Sequence, residues 1–348
     1  MDEVDLGILR WMYPRGIRSY SGVDPRISTA EIAGHVGLTR KSVWARLREW
    51  RREGFWDGYD VRPNLAILGL ETLRAEFRVR DAAEGWSLFG ELERVEGVFA
   101  ASLGFGDTAS TPGTSWVLVH LAGDGPANLQ RRLLRLRQIV PDGRLEGPWA
   151  DHPPDPSGTL TTLDWRLIAA IVDDPNAPLS RIAVAVGATP RTTVRRRSAM
   201  IENHILFYRP RIDWSRHPSV GLHIFCNAPA DLARVRKWLA VRFPHAFELS
   251  REGLGYIGEG YDPTTWVAVR VPARSPGEVQ SLILELASVR GVRLIRPEIW
   301  VRTRYFPGWI RQRIAAQLAL IEAKRLPGGR PPAHSAGRAG GPSRPARH

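Results

Sequence analysis

The chain repeats one residue pattern about 150 positions apart, and this repeat constrains the fold more than any single motif. Ile32-Ala33 with Val36-Gly37 returns as Ile182-Ala183 with Val186-Gly187. Three further pairs keep nearly the same separation across the unit: Gly69 and Gly221, Trp116 and Trp266, Trp149 and Trp300. A period sustained over this length fixes the architecture before any single residue is interpreted. The 348 residues therefore predict two copies of one module.

Composition limits the classes of protein to which the chain can belong. The hydrophobic fraction of 43% and the charged fraction of 24% are ordinary for a globular protein. No apolar run approaches the roughly 18 residues of a membrane-spanning helix, and the acidic start from Met1 to Asp5 is unlike a secretory signal. The single cysteine, Cys226, excludes an internal disulfide and a zinc finger built on cysteines. These features predict a cytoplasmic protein with no membrane partner.

The sequence also predicts neither a metal site nor a cofactor. The nine histidines are scattered, without a pair at helical spacing beside a glutamate. His120 and His223 fall in predicted strands, where a hydrogen-bonded sheet histidine is the expected state. Residues 253–258 match the letters of the dinucleotide fingerprint. That motif must join a strand to a helix, whereas the next element here is a strand around Trp266.

The net charge of +13 is compatible with a polyanionic partner such as nucleic acid. Part of the excess lies beyond Leu326, in a Gly/Pro/Arg-rich tail whose composition predicts disorder. Biased codon usage would place the same excess of arginine at random surface sites. The charge therefore indicates a nucleic-acid partner only if its position along the chain agrees.

The first 53 residues have the pattern of a DNA-reading helix pair. The predicted elements are a helix over 3–13, a short helix over 28–35, a tight turn at Gly37 and a third helix over 40–53. Thr39 can cap the third helix. Val43, Leu47 and Trp50 recur at i, i+4 and i+7 and predict its buried stripe.

The opposite face of the third helix is polar and basic. Such a helix can lie in a major groove, with its N-terminal donors at base edges and its arginines on phosphates. The predicted DNA-binding residues are Thr39, Arg40, Lys41, Ser42, Trp44, Ala45, Arg48, Arg51 and Arg52. A solvated basic face is the plain alternative for one helix alone, but the preceding helix and glycine turn favour DNA. Residues 54–59 then predict a short hairpin, a small wing.

The run from Ile32 to Tyr59, followed by an α/β segment, resembles the Lrp/AsnC (leucine-responsive/feast-famine) transcription regulators. This resemblance implies a winged helix-turn-helix joined to a βαββαβ ferredoxin-like domain, which in that family dimerises and often binds an amino acid. The resemblance covers about 3–151 and again about 161–302. It therefore implies an archaeal-like tandem fusion of two such units.

The α/β segments support the resemblance independently. The first predicts strands over 73–79, 98–103, 115–121 and 143–149 and helices over 86–95 and 129–139. The second predicts strands over 222–226, 247–251, 265–271 and 292–300 and helices over 232–243 and 279–289. Helices then cover one face of an antiparallel sheet, and a matching sheet usually covers the other. We expect the two units to pair as an internal pseudo-dimer, with assembly into a homo-oligomer left open.

The second helix-turn-helix departs from the first in its third helix. The predicted DNA-binding residues of this copy are Thr189, Arg191, Thr192, Arg195 and Arg196. Its buried stripe has two alternatives. Val194, Ser198 and Ile201 form it if one residue is inserted after Gly187; otherwise Arg197 takes the place of Leu47. This copy reads bases, holds phosphates alone, or is structural, and the sequence leaves the three open.

The predicted fold class is α+β, with two winged helix-turn-helix domains alternating with two ferredoxin-like domains. The predicted boundaries are 1–62 and 161–214 for the helix-turn-helix domains, 63–152 and 215–303 for the ferredoxin-like domains, 153–160 for a linker, 304–326 for a C-terminal amphipathic helix and 327–348 for a disordered basic tail.

The sequence thus predicts a sequence-specific regulator that binds double-stranded DNA, modulated by a small-molecule effector, and not an enzyme. In the resembled family, effector pockets lie near the hairpin between the second and third strands of the sheet. The candidate pocket residues are Gly104, Gly106, Gly255 and Gly258, although simple hairpin turns explain them equally well.

Two alternatives to the regulator stay open. Siroheme decarboxylases also resemble Lrp/AsnC proteins, but the histidine-rich loop expected between their middle strands is absent from residues 107–114. A structural or co-regulatory relative that no longer reads DNA is the second alternative, and the basic face between Lys41 and Arg52 argues against it.

Overall fold

A computed structural model describes residues 1–12, 29–106, 114–140, 145–151, 154–217, 219–244, 246–249, 264–273 and 275–324. The predictions for Gly255, Gly258 and the tail 327–348 lie outside these residues. Within the described ranges, no helix combines the length and the apolar character needed to span a membrane.

Two units with the same order of elements follow each other along the chain. The first consists of α1 (Glu3–Met12), α2 (Thr29–Val36), α3 (Arg40–Arg52), β1 (Trp56–Pro63), β2 (Glu71–Val79), α4 (Ala82–Leu92), β3 (Val98–Gly106), β4 (Thr114–Gly123), α5 (Pro126–Ile139) and β5 (Leu145–Asp151). The second consists of α6 (Thr162–Asp173), α7 (Leu179–Val186), α8 (Pro190–Glu202), β6 (Leu206–Ile212), β7 (Ser219–Cys226), α9 (Pro229–Arg242), β8 (Phe247–Leu249), β9 (Trp266–Pro272), α10 (Pro276–Ala287) and β10 (Val292–Tyr305). A last helix, α11 (Pro307–Ala323), follows. The predicted α+β class is confirmed.

The two helix-turn-helix copies share their local geometry. Gly37 and Gly187 take φ values of 68° and 69°, in the left-handed region that glycine enters without a steric penalty. Thr39 and Thr189 cap α3 and α8, where each hydroxyl accepts a hydrogen bond from the backbone N–H three residues later, at 3.1 and 3.2 Å. The predicted turn and cap are therefore present in both units.

α8 corresponds to α3 position for position, without an inserted residue, so Arg197 takes the place of Leu47. Thr193 and Arg197 are buried, with exposures of 0% and 2%, whereas Val194 is 43% exposed. The alternative stripe that begins at Val194 is therefore wrong. α8 thus places two polar side chains in a core where α3 has apolar ones.

β1 pairs with β6 of the other unit and forms a two-stranded antiparallel ribbon. Tyr59 lies opposite Pro210, and Asp60 lies opposite Arg209. At the repeat separation, Pro210 is the counterpart of Asp60 and Arg209 that of Tyr59, so the ribbon has a pseudo-two-fold axis at its centre. The predicted hairpin over 54–59 is wrong, because this segment continues as one strand and finds its hydrogen-bonding partner in the second unit.

The strands of the two α/β segments form one eight-stranded sheet in the order β5-β2-β4-β3-β10-β7-β9-β8. The long strand β10 joins the halves: its first part pairs with β7 and its second part with β3. Glu298 lies at the crossing, opposite both Gly221 and Gly106. The corresponding strand β5 ends at Asp151, ahead of prolines at 153 and 154, which have no N–H to extend a ladder. The sequence predicted a contact between sheet faces; the junction seen here is between strand edges.

Side chains alternate between two faces of this sheet. On one face, residues such as Phe77 in β2 and Val269 in β9 pack beneath the helices α4, α5, α9 and α10. On the other face, which carries no helix of the α/β segments, lie Arg74, Arg78, Trp116, His120, His223, Trp266 and Arg270. We call this second surface the helix-free face. It is largely buried, and it carries cationic side chains among aromatic and apolar ones.

α11 ties the second helix-turn-helix to the first half of the sheet. Ile310 and Ile314 are buried in the same apolar cluster as Ile168 of α6. Glu322 pairs with Arg166 of α6 at 2.7 Å. Phe306, just ahead of the helix, is buried in the core of the first sheet half. A helix is thus present in the segment where the sequence predicted one, and it packs within the chain through Ile310 and Ile314.

We expect Thr193→Val to raise the free energy of unfolding by about 1–2 kcal/mol. The Thr193 hydroxyl is buried and has no hydrogen-bond partner among the described residues, and valine removes it while keeping the shape. Chemical denaturation measures the change. Val43 occupies the matching place in α3, so Val43→Thr is the reverse control and should lower stability by a similar amount. A less stable Thr193→Val protein would contradict the prediction.

Candidate nucleic-acid interface

The packing beneath α3 determines which of its faces stays exposed. Val43, Leu47 and Trp50 are buried in one cluster with Ile8 and Leu9 of α1. Their spacing brings all three to a single stripe of the helix. The remaining circumference of α3 is left to solvent.

The side chains predicted to bind DNA lie on that exposed surface. Thr39, Arg40, Lys41, Trp44, Ala45, Arg48, Arg51 and Arg52 are exposed, and Ser42 is half-buried. Lys41 and Arg48 form no hydrogen bond or ion pair within the described residues, so their charges are available to an anion. These residues are exposed or half-buried, and their contacts with DNA stay a prediction.

Three other arginines of this surface are oriented by contacts with neighbouring side chains. Arg40 donates to the Thr29 hydroxyl at 3.2 Å. The guanidinium of Arg51 lies 5.1 Å from the ring centre of Trp56, within the range of a cation–π contact. Arg52 forms an ion pair with Glu49 one turn back along the helix. Their contacts within the chain orient these cations on the surface without burying them.

Arg46 and Arg196 instead turn toward the first helix of their unit. Arg46 lies 2.7 Å from the Asp5 carboxylate and 2.8 Å from that of Asp2, and Arg196 lies 2.8 Å from Asp164. Burial opposes the charged form of Asp2, but hydrogen bonds from the Asp5 backbone and Arg46 outweigh it and lower the pKa of Asp2. The hydrogen bond to Asp5 raises the pKa of Arg46. Arg196, predicted as a DNA contact, is thus placed to hold α8 on α6.

The exposed surface of α8 carries fewer cationic side chains than that of α3. Thr189, Arg191 and Arg195 are exposed, and Thr192 is half-buried. Arg191 and Arg195 form no ion pair or hydrogen bond in the described part of the chain. α8 therefore keeps two available cations in its N-terminal half.

The glycines proposed for an effector pocket have a packing role in the described residues. A Cβ on Gly104 would lie 2.2 Å from the Trp116 ring, so the indole already fills the space beside that backbone. Gly106 has a φ of 144°, and a Cβ there would lie 2.5 Å from the Pro297 carbonyl oxygen of β10. Close approach of neighbouring strands explains both positions without a ligand.

The buried cations of the helix-free face were not predicted from the sequence. Arg74 and Arg270 are 7% and 4% exposed. Arg74 lies opposite His120 across β2 and β4, and His223 lies 3.3 Å from the Glu298 carboxylate. In the sequence, each of these arginines stands at an alternate position of a strand whose other positions are mostly apolar. This pattern does not show that the arginine is buried until the structure shows which face of the sheet is covered.

This face also holds a buried donor without a partner. Trp266 is 5% exposed, and its indole N–H meets no acceptor among the described residues. Such groups are rare, and each calls for an explanation. No group of three or more histidine, cysteine, aspartate or glutamate side chains is placed to hold a metal ion in the ranges that the structure covers.

Comparison with known proteins identifies relatives of two kinds. Residues 22–55 match the family model for winged helix-turn-helix DNA-binding. A search of curated proteins finds no significant match. Among solved structures, the siroheme decarboxylase NirDL is similar at 13% identity, over 91% of this chain and 99% of that chain, with a TM-score of 0.46.

Regulators are similar over a single unit. E. coli AsnC matches at 17% identity, over 42% of this chain and 92% of that chain, with a TM-score of 0.27. The leucine response regulatory protein LrpA of Mycobacterium tuberculosis matches at 20% identity, over 43% of this chain and 91% of that chain, with a TM-score of 0.28. These likenesses concern the fold.

The prediction that the protein is not an enzyme has to be corrected. The solved structure that is similar over 91% of the chain is that of a siroheme decarboxylase, an enzyme. A fold does not by itself decide between an enzyme and a DNA-binding regulator, because function resides in the chemistry of particular sites.

We expect Gly104→Ala to lower the free energy of unfolding by about 1–3 kcal/mol, because the new methyl group overlaps the Trp116 ring. Gly90→Ala in α4 is the control: nothing lies within 4 Å of its Cβ position, and alanine should raise helix stability by about 0.5–1 kcal/mol. Denaturant unfolding compares the two variants. A neutral Gly104→Ala would show that the space beside this strand is open to a ligand after all.

Proposed function

We propose that the protein is a transcription regulator of the Lrp/AsnC type that reads double-stranded DNA with α3 and α8. The β1–β6 ribbon carries this proposal, because its pseudo-two-fold axis relates the strands that follow the two recognition helices. A pair of helices related in this way fits half-sites in inverted orientation, spaced by one helical turn or a multiple of it. The match of residues 22–55 to winged helix-turn-helix DNA-binding supports the same function.

The proposal includes a tandem duplication that produced an internal pseudo-dimer. Its support is the repeated element order, the shared caps at Thr39 and Thr189, and the matching ion pairs of Arg46 and Arg196. The domain boundaries given above and a cytoplasmic location belong to the same proposal. An archaeal-like origin and a homo-oligomer stay predictions.

We assign the larger share of DNA affinity to α3. Its surface combines the available cations Lys41 and Arg48 with Arg40, Arg51 and Arg52, which neighbouring side chains orient. The surface of α8 has Arg191 and Arg195, while Arg196 is engaged with Asp164. Phosphate contacts by more cations release more counterions, so α3 contributes more to affinity and to its salt dependence. Because the two surfaces differ, the operator is an imperfect inverted repeat.

A groove where the first helix-turn-helix meets the second half of the sheet is a candidate site for a small-molecule effector. The groove has a volume of about 370 Å³ and is lined by Glu3 and Leu6 of α1 and by residues of α9 and α10 that include Arg242 and Glu285. The hydrogen bond between those two raises the pKa of Arg242 and lowers that of Glu285. A ligand that touches both domains changes the position of the helix-turn-helix only if it binds more tightly to one arrangement of the two domains than to another.

The double change Arg40→Glu/Lys41→Glu tests DNA reading by α3. A duplex enriched from a random pool at about 150 mM salt should lose roughly 100-fold or more in affinity, because base-edge and phosphate contacts are lost together. The salt dependence should become shallower by about two counterions. Fluorescence anisotropy across a salt series measures both quantities.

The matched control is Arg131→Glu/Arg135→Glu on α5, which changes the net charge equally at two exposed positions away from the recognition helices. It should leave binding nearly unchanged. Equal losses in both variants would mean that only net charge matters, and the absence of any enriched duplex would remove the regulator proposal.

A second candidate function rests on the helix-free face. In the second half of the sheet, Trp266 and Arg270 of β9 lie diagonally across from His223 on this face, and the Trp266 N–H has no acceptor among the described residues. These groups suit a flat ligand that carries carboxylates. The siroheme decarboxylase NirDL, in co-complex with an iron-uroporphyrin III analogue, is similar in fold to this chain at 12% identity. The second candidate is therefore a tetrapyrrole-binding protein or a siroheme-decarboxylase-like enzyme.

Titration with iron uroporphyrin III tests this second function. Binding should shift the main absorbance band of the tetrapyrrole with a saturable curve, and Arg270→Gln should weaken it about tenfold, because a buried charge-assisted hydrogen bond is lost. The exposed Arg131→Gln serves as the control, and circular dichroism checks that each variant is folded. If no saturable shift occurs with the folded wild-type protein, this candidate is excluded.

A further inference from the structure

Two apolar side chains stand among the cations of the recognition surfaces. Trp44 of α3 is 44% exposed and Val194 of α8 is 43% exposed. Each lies five residues after the capping threonine of its helix, Thr39 or Thr189, so they occupy the same place in the two copies. The coincidence in position and exposure is the observation that needs a cause.

Packing within the chain does not supply this cause. The residue just before each one, Val43 or Thr193, belongs to the buried stripe of its helix and is 0% exposed. Val194 is also β-branched, which gives it a lower helix propensity than the straight-chain residues usual on exposed helix surfaces. A single exposed valine needs no explanation, but an apolar residue at one place on both surfaces points outward to a partner.

The neighbours of Val194 indicate the chemistry of that partner. Arg191 lies one turn before it and Arg195 directly after it, and both are exposed without an ion pair in the described residues. On DNA, the apolar group displayed at the base edges of the major groove is the 5-methyl group of thymine. A valine flanked by two cations can touch that methyl while the arginines hold phosphates or guanine edges.

We infer that Val194 is a specificity-determining residue that packs against a thymine 5-methyl group in the half-site read by α8. This inference rests on the proposed function as a DNA-binding regulator. Trp44 presents a much larger indole at the same place in α3, so the base steps under the two helices differ. The inequality of Val194 and Trp44 is thus one source of the imperfect operator symmetry.

Deletion of single methyl groups from the operator tests the inference. Each thymine of the selected duplex is replaced in turn by deoxyuridine, which removes the methyl group and leaves the hydrogen-bonding edge unchanged. Wild-type protein should lose about fourfold in affinity at one thymine, the effect of one buried methyl group. Val194→Ala should bind the parent duplex more weakly and lose this sensitivity at the same thymine. Val241→Ala on α9, 78% exposed and away from the recognition helices, is the control and should keep the wild-type profile.

Three outcomes separate the possibilities. A sensitive thymine whose effect disappears in Val194→Ala supports the inference. Specific binding without any sensitive thymine, or with a sensitivity that survives in Val194→Ala, overturns it while the regulator proposal stands. A failure to enrich any duplex removes both.

A reciprocal variant adds a gain-of-change readout. Trp44→Val gives α3 the side chain of α8 at this place, and selection with this variant should enrich a thymine at the corresponding step of the other half-site. An unchanged operator after Trp44→Val would overturn the claim that this position determines the sequence preference. Because the change is at an exposed site, the protein is expected to stay folded, and thermal unfolding verifies this.

Discussion

The backbone pairing of β1 with β6 is the interaction on which the remaining arrangement depends. β1 begins four residues after the end of α3, and β6 begins four residues after the end of α8, so each recognition helix is attached to one strand of the ribbon. A two-stranded ribbon alone is marginally stable in water. Here Val61 and Leu206 are buried in the apolar cluster that also contains α6, so tertiary packing supports the pairing and fixes both helix-turn-helix copies to one axis.

The second junction between the units does not share that symmetry. β10 leaves β7 and continues along β3, while β5 has no such extension, and α11 then crosses to α6. One half of the sheet is therefore linked to the opposite helix-turn-helix through elements that exist only once. The two units therefore differ in what packs against them, although the ribbon between them is symmetric.

The two helix-turn-helix segments share some features and differ in others. Caps, turns and ion pairs are the same in both units: the capping threonines, the turn glycines, and the ion pairs that Arg46 and Arg196 make with the first helix. Residues that point outward differ, since Trp44 and Ala45 are replaced by Val194 and Arg195. The core of α8 also tolerates Thr193 and Arg197, which shows that the second copy keeps its fold with a less apolar stripe.

The sequence by itself determined the repeat, the order of helices and strands, the caps, the turn glycines and the basic surface of α3. These features depend on contacts between residues three or four positions apart, or on the alternation of a strand, which a single sequence displays directly. Only the tertiary structure decided that Gly54–Tyr59 leads into a strand rather than a hairpin, that β10 joins β3, and that Arg196 turns inward while Arg195 stays exposed. Strand edges pair through backbone groups that every residue carries, and partners about 150 residues apart leave no local mark in the sequence that selects them.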